Sequence, residues 1–257
     1  MIEFDAAVPA GERPLVAGLL GNAAFLAETL RNVLGAARAT SLRVRPLGGD
    51  PGDNKVLYRV DTDAGPFVLK HALRKGFLWF RPRGTFKWKE IERLKALSGN
   101  GVTPRFGAHT ATAGREAYTE ELIEGVSGAA ARDPEQVRAL ARMWLRVAKL
   151  LGNVGPFWRV PGSTMGPGNA MFPRGGGAPV VVDVGRTRLR TPGRIVTKLV
   201  RTHGHADAVL QGIEEALGGP GARRFFRAAL RQVKDDALAA ALRAHAASLQ
   251  RAGSSTP

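Results

Sequence analysis

The hydrophobic pattern changes its period near Gly125, and this change limits the folds open to the chain. Before it, short apolar runs bounded by turn residues predict strands around one helix; after it, most apolar residues recur at helical spacing. We therefore expect an α+β fold of two lobes, a small antiparallel β lobe with one helix and a mostly helical large lobe. The expected parts are a helical extension over 1–40, a small lobe over 41–124 and a large lobe over 125–257.

The strand-rich half is organised around a predicted β-hairpin. Its strands cover 55–60 and 66–70, joined by the polar turn 61–65, and a turn-rich stretch over 46–53 precedes it. The other expected elements of this half are one or two helices over 15–36, a strand over 41–45, a helix over 85–97 and strands over 102–109 and 116–124. This order predicts an antiparallel sheet with a helix between its third and fourth strands.

The second half opens with a strongly amphipathic helix predicted over 133–151, with Asp133 or Pro134 at its start. A Gly/Pro-rich segment over 152–177 leads to a short buried strand over 179–183. The remainder is expected to be helical. It ends in one long helix over 222–249 and a frayed tail over 252–257.

Composition excludes several function classes. The chain has 257 residues and no cysteine, so disulfides, zinc–thiolate sites and cysteine nucleophiles are impossible. No apolar run approaches the length of a membrane span. Glu3 and Asp5 lie where a signal peptide would be basic. We expect a cytoplasmic protein, with peripheral contact at a membrane surface left open.

The charge balance is strongly basic. Lys and Arg number 38 against 22 Asp and Glu, a net charge of +16, and 29 of the 38 are Arg. Two explanations stay open: the composition of a GC-rich genome, or a polyanionic partner such as nucleic acid, an anionic lipid surface or a phosphorylated substrate. The basic, aromatic-rich run over 74–83 has the same alternatives, since its rings could stack on bases, lie at lipid or pack on the small lobe.

Several residues have the types and order that phosphoryl transfer requires. The reaction needs a backbone cover over the phosphates, a fixed cation, and oxygen ligands for Mg²⁺. A glycine turn with Gly48 and Gly49 precedes the hairpin, and Lys70 ends its second strand. Asn169 lies in the Gly/Pro-rich loop, and Asp183 ends a β-branched run. A carboxylate that ends an apolar strand is costly without a role, which favours a metal ligand.

These stretches together resemble the protein-kinase-like phosphotransferase superfamily, in particular its aminoglycoside/choline phosphotransferase branch or small bacterial lipopolysaccharide kinases. The resemblance covers roughly 45–190 and implies ATP and Mg²⁺ as cofactors. It implies that Lys70 contacts the α/β-phosphates and pairs with Glu90, and that Asn169 and Asp183 bind Mg²⁺. The implied nucleotide contacts are the turn residues Gly48, Gly49 and Asn54 and the adenine-binding hinge Glu121, Leu122 and Ile123.

The sequence departs from this family at the catalytic loop. The family has an Asp five residues before its metal-binding Asn, and here that position is Thr164. A missing general base typically costs a factor of about 10²–10⁴ in rate. We expect a weak kinase acting on a hydroxyl of a small or surface-exposed acceptor, an anionic one among the options. The alternatives are a pseudokinase-type regulatory or scaffold domain and a basic nucleic-acid-binding protein.

Overall fold

The computed structural model describes residues 1–47, 55–72, 86, 90–112, 114–161, 167–184 and 187–254. The chain divides into two compact units: unit 1 comprises Met1–Gly99 with Pro104–Ile123, and unit 2 comprises Asn100–Thr103 with Glu124–Pro257. Unit 1 is a sheet with helices, and unit 2 is mostly helical. The α+β class expected from the change in hydrophobic period is confirmed.

Unit 1 is built on a six-stranded sheet with the order β1-β2-β3-β4-β6-β5. Its strands are β1 (Ile2–Phe4), β2 (Leu42–Pro46), β3 (Lys55–Thr62), β4 (Gly65–Ala72), β5 (Phe106–Thr112) and β6 (Arg115–Glu121). Only the β1–β2 pair is parallel. The predicted hairpin is β3–β4, with the first strand two residues and the second three residues longer than expected. This places β4 inside the sheet, paired on both sides.

The N-terminal forty residues form part of unit 1, where the sequence led us to expect a separate extension. Helices α1 (Arg13–Leu20) and α2 (Ala23–Thr29), followed by a π-helical turn (Leu30–Leu34), pack on the sheet. Their buried side chains share one apolar cluster with Tyr58 and Leu69. Each large apolar side chain buried in this cluster contributes about 1.5–3 kcal/mol to the free energy of folding. This burial makes the N-terminal segment part of the unit 1 core. A further α-helix of unit 1, α3, spans Glu90–Leu97.

The first long helix of unit 2, α4 (Pro134–Leu151), confirms the prediction over 133–151. Asp133 caps it by accepting hydrogen bonds from Glu135 N at 2.7 Å and Gln136 N at 3.3 Å. A second helix, Ala206–Leu217, packs closely against α4 at Gly212. Only glycine fits there, because a Cβ at this position would lie 2.2 Å from Arg138 O.

The Gly/Pro-rich region of unit 2 contains more strand than the sequence indicated. One three-stranded sheet has the order β11-β10-β7 and another the order β12-β9-β8. Their strands are β7 (Gly125–Ser127), β8 (Asn153–Val154), β9 (Phe157–Pro161), β10 (Ala170–Pro173), β11 (Val180–Val181) and β12 (Thr187–Arg190). These strands have two to five residues, too few for a period-two pattern to show.

Four helices complete unit 2: α5 (Pro192–His203), α6 (Ala206–Leu217), α7 (Gly219–Leu230) and α8 (Asp236–Ser254). The single long helix predicted over 222–249 was wrong, since the chain breaks between α7 and α8. The carboxylate of Asp235 accepts a hydrogen bond from Leu238 N at 2.9 Å, which begins a new helix there. The helix expected to end at residue 249 runs on into the predicted frayed tail, to Ser254. Of the helices that the structure describes, none has the length and apolar content to cross a membrane.

Candidate functional site

Lys70 lies on β4 and is buried, with 3% of its surface exposed. Its strand partner is Tyr118 on β6, whose ring centroid lies 5.6 Å from Lys70 Nζ. Glu120 is two residues beyond Tyr118 and therefore lies on the same face of the sheet. Lys70 Nζ is 2.5 Å from Glu120 Oε1, and Glu120 is 4% exposed. The cation of Lys70 is thus held in a fixed, buried ion pair at the middle of the sheet.

The ion pairs differ from the pairing that the resemblance implied. Glu90, the expected partner of Lys70, begins α3, and its Oε1 lies 3.7 Å from Nζ of Lys55. Lys55 is the first residue of β3, and Glu90 is almost fully buried beside it. Lys70 instead pairs with Glu120. Both acidic side chains are in unit 1, and each stabilises one lysine of the hairpin.

A second buried cluster lies on the opposite face of β4, beside Lys70 in sequence. His71 is fully buried, and its Nε2 lies 3.1 Å from an oxygen of Glu12, which precedes α1. Arg115 Nη1 donates to both Glu12 oxygens at 3.1 Å. Burial lowers the pKa of His71, although the nearby Glu12 carboxylate acts in the opposite direction. Burial and the charge of Glu12 together raise the pKa of Tyr58 to about 12. This cluster ties the N-terminal segment to the strand that carries Lys70.

The predicted adenine hinge lies at the end of unit 1. Glu121 is the last residue of β6, and Ile123 is the last residue of unit 1 along the chain, followed by Glu124 of unit 2. Glu121 N donates to Arg105 O at 2.9 Å, and its carboxylate accepts from the Arg105 guanidinium. Leu122 and Ile123 are half-buried and follow the strand. Their role as the hinge stays a prediction.

The two predicted Mg²⁺ ligands lie next to each other in unit 2. Strands β10 and β11 pair in antiparallel register, with Ala170 opposite Val181. Asn169 directly precedes β10, and Val182 separates Asp183 from the end of β11. Val182 N donates to Asn169 O at 3.0 Å. Both side chains are half-buried at the same end of this hairpin. Amide and carboxylate oxygens are the hard ligands that Mg²⁺ prefers, so the donor chemistry fits this ion.

Four predicted site residues, Gly48, Gly49, Asn54 and Thr164, lie outside the described residues. Their roles stay predictions. Within the described part of the chain, no group of three or more His, Cys, Asp or Glu side chains could hold a metal. Asn169 and Asp183 stay the predicted Mg²⁺ ligands.

Sequence reasoning missed Glu120 and Glu12. Glu120 left a partial signal, because Tyr118 and Glu120 alternate on one face of a predicted strand, but only the register with β4 shows that this is the Lys70 face. Glu12 left no such signal. It reaches His71 and Arg115 only because α1 packs on the sheet, a tertiary contact across more than fifty residues.

Comparison with solved structures places this geometry in a known fold. The chain is similar to spectinomycin phosphotransferase, solved in complex with ADP and spectinomycin, with a TM-score of 0.50 and 10% identity over 80% of this chain and 84% of that chain. It is also similar to an aminoglycoside phosphotransferase from Alicyclobacillus acidocaldarius, with a TM-score of 0.47 and 12% identity over 81% and 92% of the two chains. No protein-family model and no curated protein sequence matches. The first likeness confirms at the level of the fold what the sequence motifs implied: this chain has the α+β fold of protein-kinase-like, aminoglycoside phosphotransferase-like proteins.

Proposed function

We propose that this protein binds Mg-ATP and transfers its γ-phosphate to a hydroxyl of a small or surface-exposed acceptor, at a low rate. The observation that carries the proposal is the buried, ion-paired Lys70 on an inner strand of a kinase-like sheet. A buried ion pair often stabilises a fold no better than apolar residues of the same volume would. The Lys70–Glu120 pair is therefore better explained by a functional requirement for a cation at a fixed position than by stability. In a protein that binds ATP, such a cation would bind the α/β-phosphates.

The residues of unit 2 support the metal part of the proposal. Asn169 and Asp183 offer hard oxygen ligands at one end of the β10–β11 hairpin and would hold Mg²⁺. When bound with ATP, the ion would neutralise charge on the phosphates. The solved relative that contains ADP is consistent with nucleotide binding by this fold.

The chain's own residues would act mainly by positioning. Lys70, oriented by Glu120, would hold the phosphates while the acceptor oxygen bonds to the γ-phosphorus and the bond to the β–γ bridging oxygen breaks, leaving ADP. The acceptor's proton would pass to water, because the Thr164 hydroxyl cannot act as a carboxylate base. The transition state of phosphoryl transfer is loose, so transfer without a base is slow but feasible.

Ligand-dependent thermal unfolding tests nucleotide binding. ATP with Mg²⁺ at about 100 times its dissociation constant should stabilise the protein by about 2.7 kcal/mol. Lys70→Met and Asp183→Asn should each remove most of this stabilisation. Asp236→Asn, in the exposed first turn of α8, is the matched control and should retain it. If no nucleotide stabilises the wild type, the proposal is wrong.

The pseudokinase alternative needs a second measurement, since it also binds nucleotide. Thr164 is the specific observation that favours it. We would follow the γ-phosphate of labelled ATP with a panel of hydroxyl acceptors, and would test Thr164→Asp beside the wild type. Transfer by the wild type that increases in Thr164→Asp supports a weak kinase. Nucleotide stabilisation without transfer in either protein supports a regulatory or scaffold role.

A further inference from the structure

The middle of unit 2 has an unusual distribution of charge. Residues 136–206 contain twelve Lys and Arg but a single acidic residue, Asp183. The three-stranded sheet β12-β9-β8 lies entirely within this stretch. Asp183 is thus the single acidic residue near its cations in the sequence, and any other acidic partner must come from elsewhere in the chain.

One face of this sheet is apolar and exposed. Val154 pairs with Phe157 across a two-residue turn, and Arg159 pairs with Leu189. Directly paired residues share a face, as do residues two apart on a strand, so these four side chains lie on one face. Val154 is 43% exposed, Phe157 40% and Leu189 47%. We call this set, Val154, Phe157, Arg159 and Leu189, the hairpin surface.

The other face of the sheet is covered. Val160 is fully buried, and the ring of Trp158 contacts Phe225 of α7 edge-on, with centroids 5.5 Å apart. The sheet thus has one packed face and one open face. Residues 153–157, which form the β8–β9 turn and its flanks, are all exposed and uncharged.

The arginines around the hairpin surface have no acidic partner. Among the described residues, none of Arg159, Arg188, Arg190 and Arg194 forms an ion pair. Arg188 and Arg190 pair with Val160 and Trp158, so they lie on the covered face of the sheet. Arg188, on the edge strand β12, is nevertheless exposed, whereas Arg190 is half-buried. Arg194 lies in the first turn of α5. Burial, with Arg188 and Arg194 adding to it, lowers the pKa of Arg190, so the like charges are close enough to repel. The cations available to an external anion are therefore Arg159 on the hairpin surface and the exposed Arg188 at the sheet edge.

We propose that the hairpin surface, with its own Arg159 and with the exposed Arg188 at the edge of the sheet, docks on an anionic lipid bilayer. The exposed apolar side chains would enter the headgroup region while the guanidinium groups contact lipid phosphates. A second copy of the chain would bring the same arginines together and is disfavoured by their repulsion. Nucleic acid would pair with the arginines but offers little to the aliphatic Val154 and Leu189. This proposal does not depend on the phosphotransfer activity.

Vesicle co-sedimentation without nucleotide tests the proposal. We expect the protein to bind phosphatidylcholine vesicles that contain about one third phosphatidylglycerol, to bind pure phosphatidylcholine at least tenfold more weakly, and to be released as NaCl rises to about 0.5 M. Equal binding to the two vesicle types, or none to the anionic vesicles, overturns it. Stronger binding to a DNA duplex than to anionic vesicles at the same salt also overturns it, in favour of nucleic acid.

Matched variants separate this surface from net charge. Arg159→Gln with Arg188→Gln should weaken vesicle binding about 30-fold, whereas Arg224→Gln with Arg227→Gln, which removes the same charge from α7, should change it less than threefold. Leu189→Gln should weaken binding at least threefold, and Val126→Gln, at a residue that is 60% exposed on β7, should not. Equal losses in both arginine variants would overturn the proposal. Circular dichroism of each variant confirms that it is folded.

Discussion

The two units of this protein differ in whether their charged side chains form ion pairs. In unit 1, the buried charged groups of the sheet have partners: Lys70 lies against Glu120, and Lys55 against Glu90. In unit 2, the arginines of the β12-β9-β8 sheet have no acidic partner among the described residues. Internal pairs hold a side chain at a fixed position, whereas unpaired surface cations remain able to bind a ligand. The contrast suggests that unit 1 orients a cation and that unit 2 presents cations outward.

Removal of one member of a buried pair should produce the largest effect. Glu120→Gln removes the carboxylate that is paired with the buried Lys70, and the loss of one member of a buried ion pair typically costs about 3–5 kcal/mol of unfolding free energy. Glu121→Gln is the matched control on the next residue, because its partner Arg105 has a side chain that is 52% exposed. Exposed pairs contribute about 0–1 kcal/mol. Urea unfolding at pH 7 measures both.

Equal stability of Glu120→Gln and Glu121→Gln would contradict the contrast drawn between the two units. That outcome would mean that Lys70 is stabilised adequately by Tyr118 and by water, and that unit 1 does not depend on its buried pairs. Lys70→Met combined with Glu120→Leu should recover most of the lost stability, since an apolar pair avoids the cost of desolvation, but it should not bind nucleotide.

The cluster around Glu12 should give the next largest effect. Glu12→Gln weakens the contacts to both His71 and Arg115, which are fully and largely buried. We expect a loss of about 2 kcal/mol, from charge-assisted hydrogen bonds worth about 1.5–3 kcal/mol. A double-mutant cycle with Arg115→Gln should give a coupling of at least about 0.5 kcal/mol, as residues in contact do. A coupling of zero would show that the cluster does not act as a unit. Glu3→Gln, at the exposed Glu3 of β1, is the control and should be neutral.

The sequence predicted the site as far as local order and strand period allow. Short apolar runs predicted strands ending at Lys70 and at Asp183, and Asn169 was predicted in a Gly/Pro-rich loop. In the structure Lys70 lies within β4, two residues before its end, and Val182 separates Asp183 from β11. The partner of Lys70 did not follow, because the family resemblance directed attention to Glu90. Which carboxylate meets a lysine depends on helix placement and on the register between β4 and β6, which are 43 or more residues apart in the sequence.

The fold was predictable where elements are long and amphipathic. The hairpin β3–β4 and the helix α4 have many residues with one dominant period. The strands β8, β9 and β12 are too short for this, and β1 is a three-residue edge strand whose pairing with β2 is non-local. The break between α7 and α8 depends on the cap formed by Asp235, which competes with a favourable helical pattern on both sides.

In unit 2, the buried His203 should make the free energy of unfolding depend on pH. His203 at the end of α5 has a pKa lowered by burial, and by the charges of Arg132 and Lys198. As pH falls below about 6.5, the unfolded chain takes up a proton that the folded protein resists, so stability falls with pH. The slope from this residue cannot exceed about 1.4 kcal/mol per pH unit. His203→Gln should flatten the curve between about pH 6.5 and 5. An unchanged slope would show that His203 is protonated freely when folded.

The smallest expected effect is an increase in the free energy of unfolding, caused by the loss of a repulsive charge. Arg188→Gln removes one of the like charges that, together with burial, lower the pKa of Arg190. Because no acidic side chain among the described residues pairs with Arg188, its removal costs no ion pair and relieves repulsion. We expect the unfolding free energy to rise by about 0.2–0.5 kcal/mol at low salt and the gain to vanish at about 0.5 M NaCl, where charges are screened. Arg115→Gln in unit 1 should lose stability at both salt concentrations, since its partner Glu12 is largely buried. If Arg188→Gln were instead destabilising, Arg188 would have a structural role, and its charge would be used within the protein as the charges of unit 1 are.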